Sequence, residues 1–157
     1  IIEAGELKGL EQFLCRHGID YRLVSCSVNG VQEIFCQFED SMINIFDIAS
    51  TGTKSLILLY YWYIKMNKAS FVFIDEFDAF YHFELSEDIV RMLKKMTDVQ
   101  IFLSTHNTDL ISNDLLRPDS YFEIRNNDIF SFDKLTKKEL RSAHNLQKMY
   151  KAGSFNG

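Results

Sequence analysis

Of the 157 residues only one is proline, seven are glycine and three are cysteine. So little proline and glycine excludes collagen-like, low-complexity and linker-dominated architectures. Cys15, Cys26 and Cys36 are an odd number without the paired spacing of a metal site. A reducing, cytoplasmic setting is therefore expected. A positive balance is also missing: 17 Lys and Arg stand against 22 Asp and Glu, a net charge of −5. No global field draws such a chain to nucleic acid. The longest apolar run, 55–64, is bounded by Lys54 and Lys65 and is too short to span a bilayer. No signal peptide opens the chain, and its first residue is Ile1 rather than Met, as in a fragment of something longer. What is present is apolar bulk, 46% hydrophobic and 14% aromatic, on a length that suits one domain over 1–157.

The patterning alternates helices with strands. Leu7, Leu10, Phe13, Leu14 and His17 recur at helical spacing, and Gly18 can end that helix in a left-handed conformation. Strands near 21–28 and 31–38 form a hairpin around Asn29-Gly30. A two-residue loop would set Val28 opposite Val31 and Cys26 opposite Glu33, with Cys36 on the other face from Cys26, against a bridge. Ser50-Thr51-Gly52-Thr53-Lys54-Ser55 then leads into an almost wholly apolar segment, 56–66, read as a buried helix. Its Tyr60, Tyr61, Trp62 and Tyr63 are rich enough to pack against a neighbouring subdomain or a second copy as well as their own sheet. Phe71-Val72-Phe73-Ile74, apolar on both faces, suits a central parallel strand. Leu85, Ile89, Met92, Leu93 and Met96 mark an amphipathic helix, with Ser86 as a cap near its start. A second buried strand, 99–103, leads to Ser104-Thr105-His106-Asn107, where a short helix is expected to start and to stop before Arg117-Pro118. A hairpin around Asn126-Asn127-Asp128 follows, and Thr136-Lys137-Lys138-Glu139 reads as a capping box for a last helix closing near Gly153. Strands alternating with helices, flanked by hairpins, predict an α/β fold.

Three places can carry chemistry. Asp75-Glu76 emerges at the carboxyl end of an apolar strand, where open α/β sheets bind ligands. A hard cation needs such oxygen ligands, and an attacking water needs a base within hydrogen-bond reach. His106, also at a strand end, can donate to a phosphate oxygen. The turn at Ser50, Gly52 and Lys54 joins hydroxyls, close backbone approach, a helix N-terminus and a full positive charge, which together favour an anion. Taken alone, the acid pair favours chemistry over a solvated strand end, the histidine reads as incidental to a capping turn, and the Ser50 turn is also the polar cap that a helix start needs.

Taken together, their order is informative: Asp75 lies 25 positions after Ser50, and His106 lies 30 after Glu76. This order and spacing resembles the second half of an ABC-class P-loop ATPase, over roughly 46–113. The signature-like Ser50-Thr51-Gly52-Thr53-Lys54, the run Asp75-Glu76-Phe77-Asp78-Ala79-Phe80-Tyr81-His82 and Ser104-Thr105-His106-Asn107 are similar to bacterial stand-alone AAA-family ATP-binding proteins frequent in phage-defence loci. Ala143-His144-Asn145-Leu146, with Met149-Tyr150 and Ala152-Gly153, also looks similar. The resemblance implies a P-loop NTPase-like core with parallel central strands, flanking hairpins and a C-terminal helix. It implies ATP as substrate, Mg²⁺ supported by Asp75, Glu76 as general base and His106 on the γ-phosphate. Ser50 and Gly52 would contact the γ-phosphate of ATP held by another copy in a homodimer, with Lys54 adding charge. Two positions depart from transporter-type members: Gly52-Thr53-Lys54 replaces Gly-Gly-Gln, and His82 stands where the D-loop Asp is usual.

No Gly-x-x-x-x-Gly-Lys-Ser/Thr occurs in the 157 residues. Without that loop the β- and γ-phosphates lose their backbone cradle, so the chain alone is expected neither to hold ATP tightly nor to hydrolyse it. The nucleotide-gripping half is expected to lie outside it. Rival readings are a superfamily-two helicase, from Asp75-Glu76-Phe77-Asp78 and Ser104-Thr105-His106, and a metal-dependent nuclease on Asp75, Glu76 and Asp78. A third is a nucleic-acid-binding module using Lys134, Lys137, Lys138, Arg141, Lys148 and Lys151.

Overall fold

A computed structural model describes residues 1–136, 140 and 145–155. Two compact units result, one comprising Ile1–Val72 with Thr97–Ile101, the other Phe73–Met96 with Phe102–Gly157.

In the first unit, helix α1 (Leu7–Arg16) buries Leu10, Phe13 and Leu14, and Gly18 follows at φ 79°, the expected left-handed exit. Asn29 and Gly30 both take positive φ (50° and 81°), the geometry whose twist matches a two-residue hairpin. They join β1 (Leu23–Val28) to antiparallel β2 (Val31–Gln37), with Val28 opposite Val31 and Cys26 opposite Glu33 as expected. Cys36 is buried, and all three cysteines are free. A third strand, β3 (Met42–Asn44), extends this sheet beyond β2. Three residues are too few to display an alternating pattern, so sequence patterning does not reveal it.

Asn44 caps the short helix α2 (Ile45–Ile48) by accepting from the Phe46 N–H, and Ser50 opens the long helix α3 (Thr51–Met66). Helix α3 packs on α1: the Phe13 and Tyr60 rings lie 5.2 Å apart, and the Tyr60 hydroxyl donates to Glu6 at 2.8 Å. Its inner stripe, Leu56, Ile57, Leu59, Tyr60 and Met66, is buried, but Leu58 and Trp62 are more than half exposed. The expected buried helix thus keeps one open stripe, on the side left over by its own packing.

Strands β4 (Phe71–Ile74) and β5 (Gln100–Leu103) pair with each other. Gln100 donates to Ser70 O and Ser104 to Ile74 O, at the same offset, so the pair is parallel as expected. Burial on both faces does not follow. Phe71 and Phe73 are 57% and 58% exposed, while Val72 and Ile74 on the opposite face are half-buried.

In the second unit, α4 (Phe83–Leu93) buries Leu85, Ile89, Val90 and Leu93. Ser86 is not its cap. The helix starts earlier, after His82, and the buried Ser86 hydroxyl donates back to His82 O at 3.1 Å. The short helix expected after 107 is only a 3-10 turn at Thr108–Leu110, capped by Asn107. Side chains there compete for the backbone: Asp114 N–H donates to Ser112 Oγ, and Ser112 N–H to the Tyr121 hydroxyl. Strands β6 (Phe122–Arg125) and β7 (Asp128–Ser131) form the expected hairpin across Asn126-Asn127. Phe132, Leu146 and Phe155 form a core flanked by Tyr121 and Tyr150, with α5 (Leu146–Lys151) capped by Asn145. Gly153 then takes φ 71°. The capping box at 136–139, and Ala143-His144, Lys137, Lys138 and Arg141, lie wholly or partly outside the described residues. Among the described residues no helix is long and apolar enough to cross a membrane.

Candidate active site

Parallel pairing sets the ends of β4 and β5 side by side, which brings Asp75-Glu76 to Ser104-Thr105-His106 within the second unit. Ser104 binds four consecutive residues across this junction. Its N–H donates to Ile74 O (3.0 Å) and its carbonyl accepts from Phe77 N–H (3.2 Å). Its hydroxyl accepts from Glu76 N–H (2.8 Å) and donates to Asp75 Oδ1. Beside it, Thr105 Oγ1 donates to Asp78 Oδ2 (2.8 Å) and accepts from Asn107 N–H (2.9 Å).

Glu76 adopts φ 45°, in the left-handed region that side chains other than Gly, Asn and Asp seldom occupy. Its carboxylate lies 3.5 Å from His106 Nε2, and both side chains face solvent. Such an exposed pair contributes little to stability. The two residues border an open depression of about 370 Å³ lined also by Asp78, Ala79, Tyr81 and Asn107. Burial pushes the Tyr81 phenol up to about 12, which keeps it protonated in the neutral range.

Ser50, Gly52 and Lys54 share the start of α3 in the first unit. Ser50 Oγ accepts from Thr53 N–H (3.1 Å) and sits 2.9 Å from Thr53 Oγ1, so it is a working N-cap. Ser50 and Lys54 are exposed and Gly52 is half-buried. The helix N-terminus, an exposed hydroxyl and an exposed ammonium remain together there.

Among the described residues no group of three His, Cys, Asp or Glu side chains could hold a metal ion, so Asp75, Glu76 and Asp78 do not form the three-acid cluster of the nuclease reading. Lys151 is paired with Asp109 at 2.9 Å, which leaves it less suited to the basic-segment reading. The sequence singles out Asp75, Glu76 and His106 by their places at strand ends, and the structure brings them together. The sequence assigns no part to Ser104, Thr105 or Tyr81, whose contacts and burial depend on strand register. Two hydroxyl residues preceding the histidine were the available signal.

The α/β architecture, with parallel strands ending in Asp-Glu and in Thr-His, is P-loop NTPase-like. Residues 20–112, more than half of the chain, match the family described as "AAA domain, putative AbiEii toxin, Type IV TA system". The chain belongs to this family of P-loop ATPases. It is also similar in fold to a chain from a structural study of the ATP-driven dimerization and DNA-stimulated activation of SMC ATPases. That likeness covers 93% of this chain and 89% of the other, with a TM-score of 0.55 and 12% sequence identity. No curated protein matches the chain in sequence.

Proposed function

We propose that the chain is the part of an ABC-class ATPase that carries the signature turn, the two Walker B acids and the switch histidine. It would act in a homodimer with ATP held between copies. The observation that carries this reading is the meeting of Asp75, Glu76 and His106 where two parallel strands end together. Dimerization driven by ATP in the SMC ATPase relative supports the shared-site arrangement.

Asp75 offers an exposed carboxylate, a hard oxygen donor that fits Mg²⁺ held largely through water. When bound, Mg²⁺ neutralises charge on the phosphate oxygens. Glu76, whose carboxylate reaches the open depression, accepts the proton of the water that attacks the γ-phosphorus as ADP departs. His106 donates to a γ-phosphate oxygen and helps hold that geometry. From the opposite copy, Ser50, Gly52 and Lys54 offer a helix N-terminus and a positive charge to the same phosphate. The phosphate-gripping loop comes from outside these 157 residues, in the same protein or a second chain. Three free thiols support a reducing, cytoplasmic setting. A bacterial phage-defence role is compatible with the family.

The test is Mg²⁺–ATP hydrolysis by the parent protein, its Glu76→Gln form and the 157-residue chain. The parent should turn over ATP, Glu76→Gln should lower kcat by about 100-fold or more, and the isolated chain should be inactive. Turnover unaffected by Glu76→Gln would remove the base and the reading with it.

A further inference from the structure

We propose that Ser104 is a positioning residue that assigns Asp75 and Glu76 to different tasks; this rests on the roles proposed for those two acids. Adjacent carboxylates on one extended strand would point to opposite faces. Here the chain instead breaks into the left-handed region at Glu76, and Ser104 spans the break on both sides. Its single hydroxyl proton goes to Asp75, and its lone pair receives the Glu76 N–H. One side chain therefore fixes the carboxylate meant for the cation and the backbone that aims the carboxylate meant for the water. Thr105 restrains Asp78 in the same way one residue on. Of the acids at 75, 76 and 78, Asp75 and Asp78 are engaged by hydroxyls, and Glu76 is the one facing His106. Because Ser104 and Thr105 directly precede His106, the strand that carries the histidine also sets the base. Nothing in this arrangement places Ser104 on the nucleotide; it acts through its two acidic neighbours.

The experiment compares Ser104→Ala with Ser104→Thr. In the 157-residue chain, NMR amide exchange at Glu76 should accelerate about 10-fold in the alanine form, the effect of one lost hydrogen bond. Phe77, bonded to the Ser104 carbonyl, and the α4 core amides should keep their rates. In the parent, Ser104→Ala should lower kcat by about 100-fold with KM for ATP within about twofold, and Ser104→Thr should restore both readouts. On a Glu76→Gln background the alanine change should cost nothing further. If Ser104→Ala fails to fold, the isosteric pair Ser104→Thr and Ser104→Val isolates the hydroxyl. Unchanged Glu76 exchange in a folded variant, or unchanged kcat, overturns the assignment. A parent whose turnover survives Glu76→Gln overturns the proposed function instead, and the exchange rates tell the two failures apart.

Discussion

At Gly9 an added Cβ would lie 2.0 Å from the Tyr60 hydroxyl and 2.7 Å from Glu6 Oε2. Gly9→Ala must therefore displace the hydrogen bond that ties α3 to the residue before α1. It should cost about 1–3 kcal/mol in urea unfolding. The same tyrosine gives a pH prediction. Burial first, then the hydrogen bond from its hydroxyl to Glu6, holds the Tyr60 phenol well above its ordinary value of 10. A phenol whose pKa is raised by folding stabilises fully below the unfolded value, and that contribution is lost as pH rises towards the folded one. Stability should thus fall above about pH 10, and Tyr60→Phe should flatten that decline. Raised Tyr81 and Tyr121 leave part of it in place. That Asp75, Glu76 and His106 end apolar runs was legible in the sequence, and the parallel strands bring them together. The Ser104 contacts and the left-handed Glu76 were not legible, because they exist only once two distant strands are in register.

Among the elements, the hairpins were the most legible. Asn29-Gly30 specifies its own turn, and register follows from a two-residue loop. The second hairpin has Asn127 at φ 66° where the first has Gly30. Asn127→Gly should stabilise it by about 0.5 kcal/mol, seen as a raised thermal midpoint. Helix α3 starts at Ser50, whose hydroxyl bonds the Thr53 N–H. Ser50→Ala should cost about 1 kcal/mol in the isolated chain, independently of any nucleotide. Elements set by tertiary competition were less legible. Strand β3 is too short for a pattern, and Ser112 and Asp114 exchange helical hydrogen bonds for side-chain and Tyr121 contacts. The start of α4 was misplaced because Ser86, a residue type common at caps, here satisfies its hydroxyl inside the first turn.

For the whole molecule, alternation of strands and helices was enough for the α/β class; the fold likeness agrees with it, and the family match places the chain among P-loop ATPases. Exposed Phe71 and Phe73 could not be foreseen, since four apolar residues in a row read as buried on both faces. In the proposed homodimer each catalytic site joins the acids of one copy to the Ser50 turn of another. The most direct test mixes two inactive parents, Glu76→Gln and Ser50→Arg, and measures Mg²⁺–ATP hydrolysis. In a two-fold dimer each mixed pair keeps one intact site, so about one quarter of wild-type turnover should return. A mixture as inactive as its two components, under conditions where the subunits exchange, would contradict a site shared between copies.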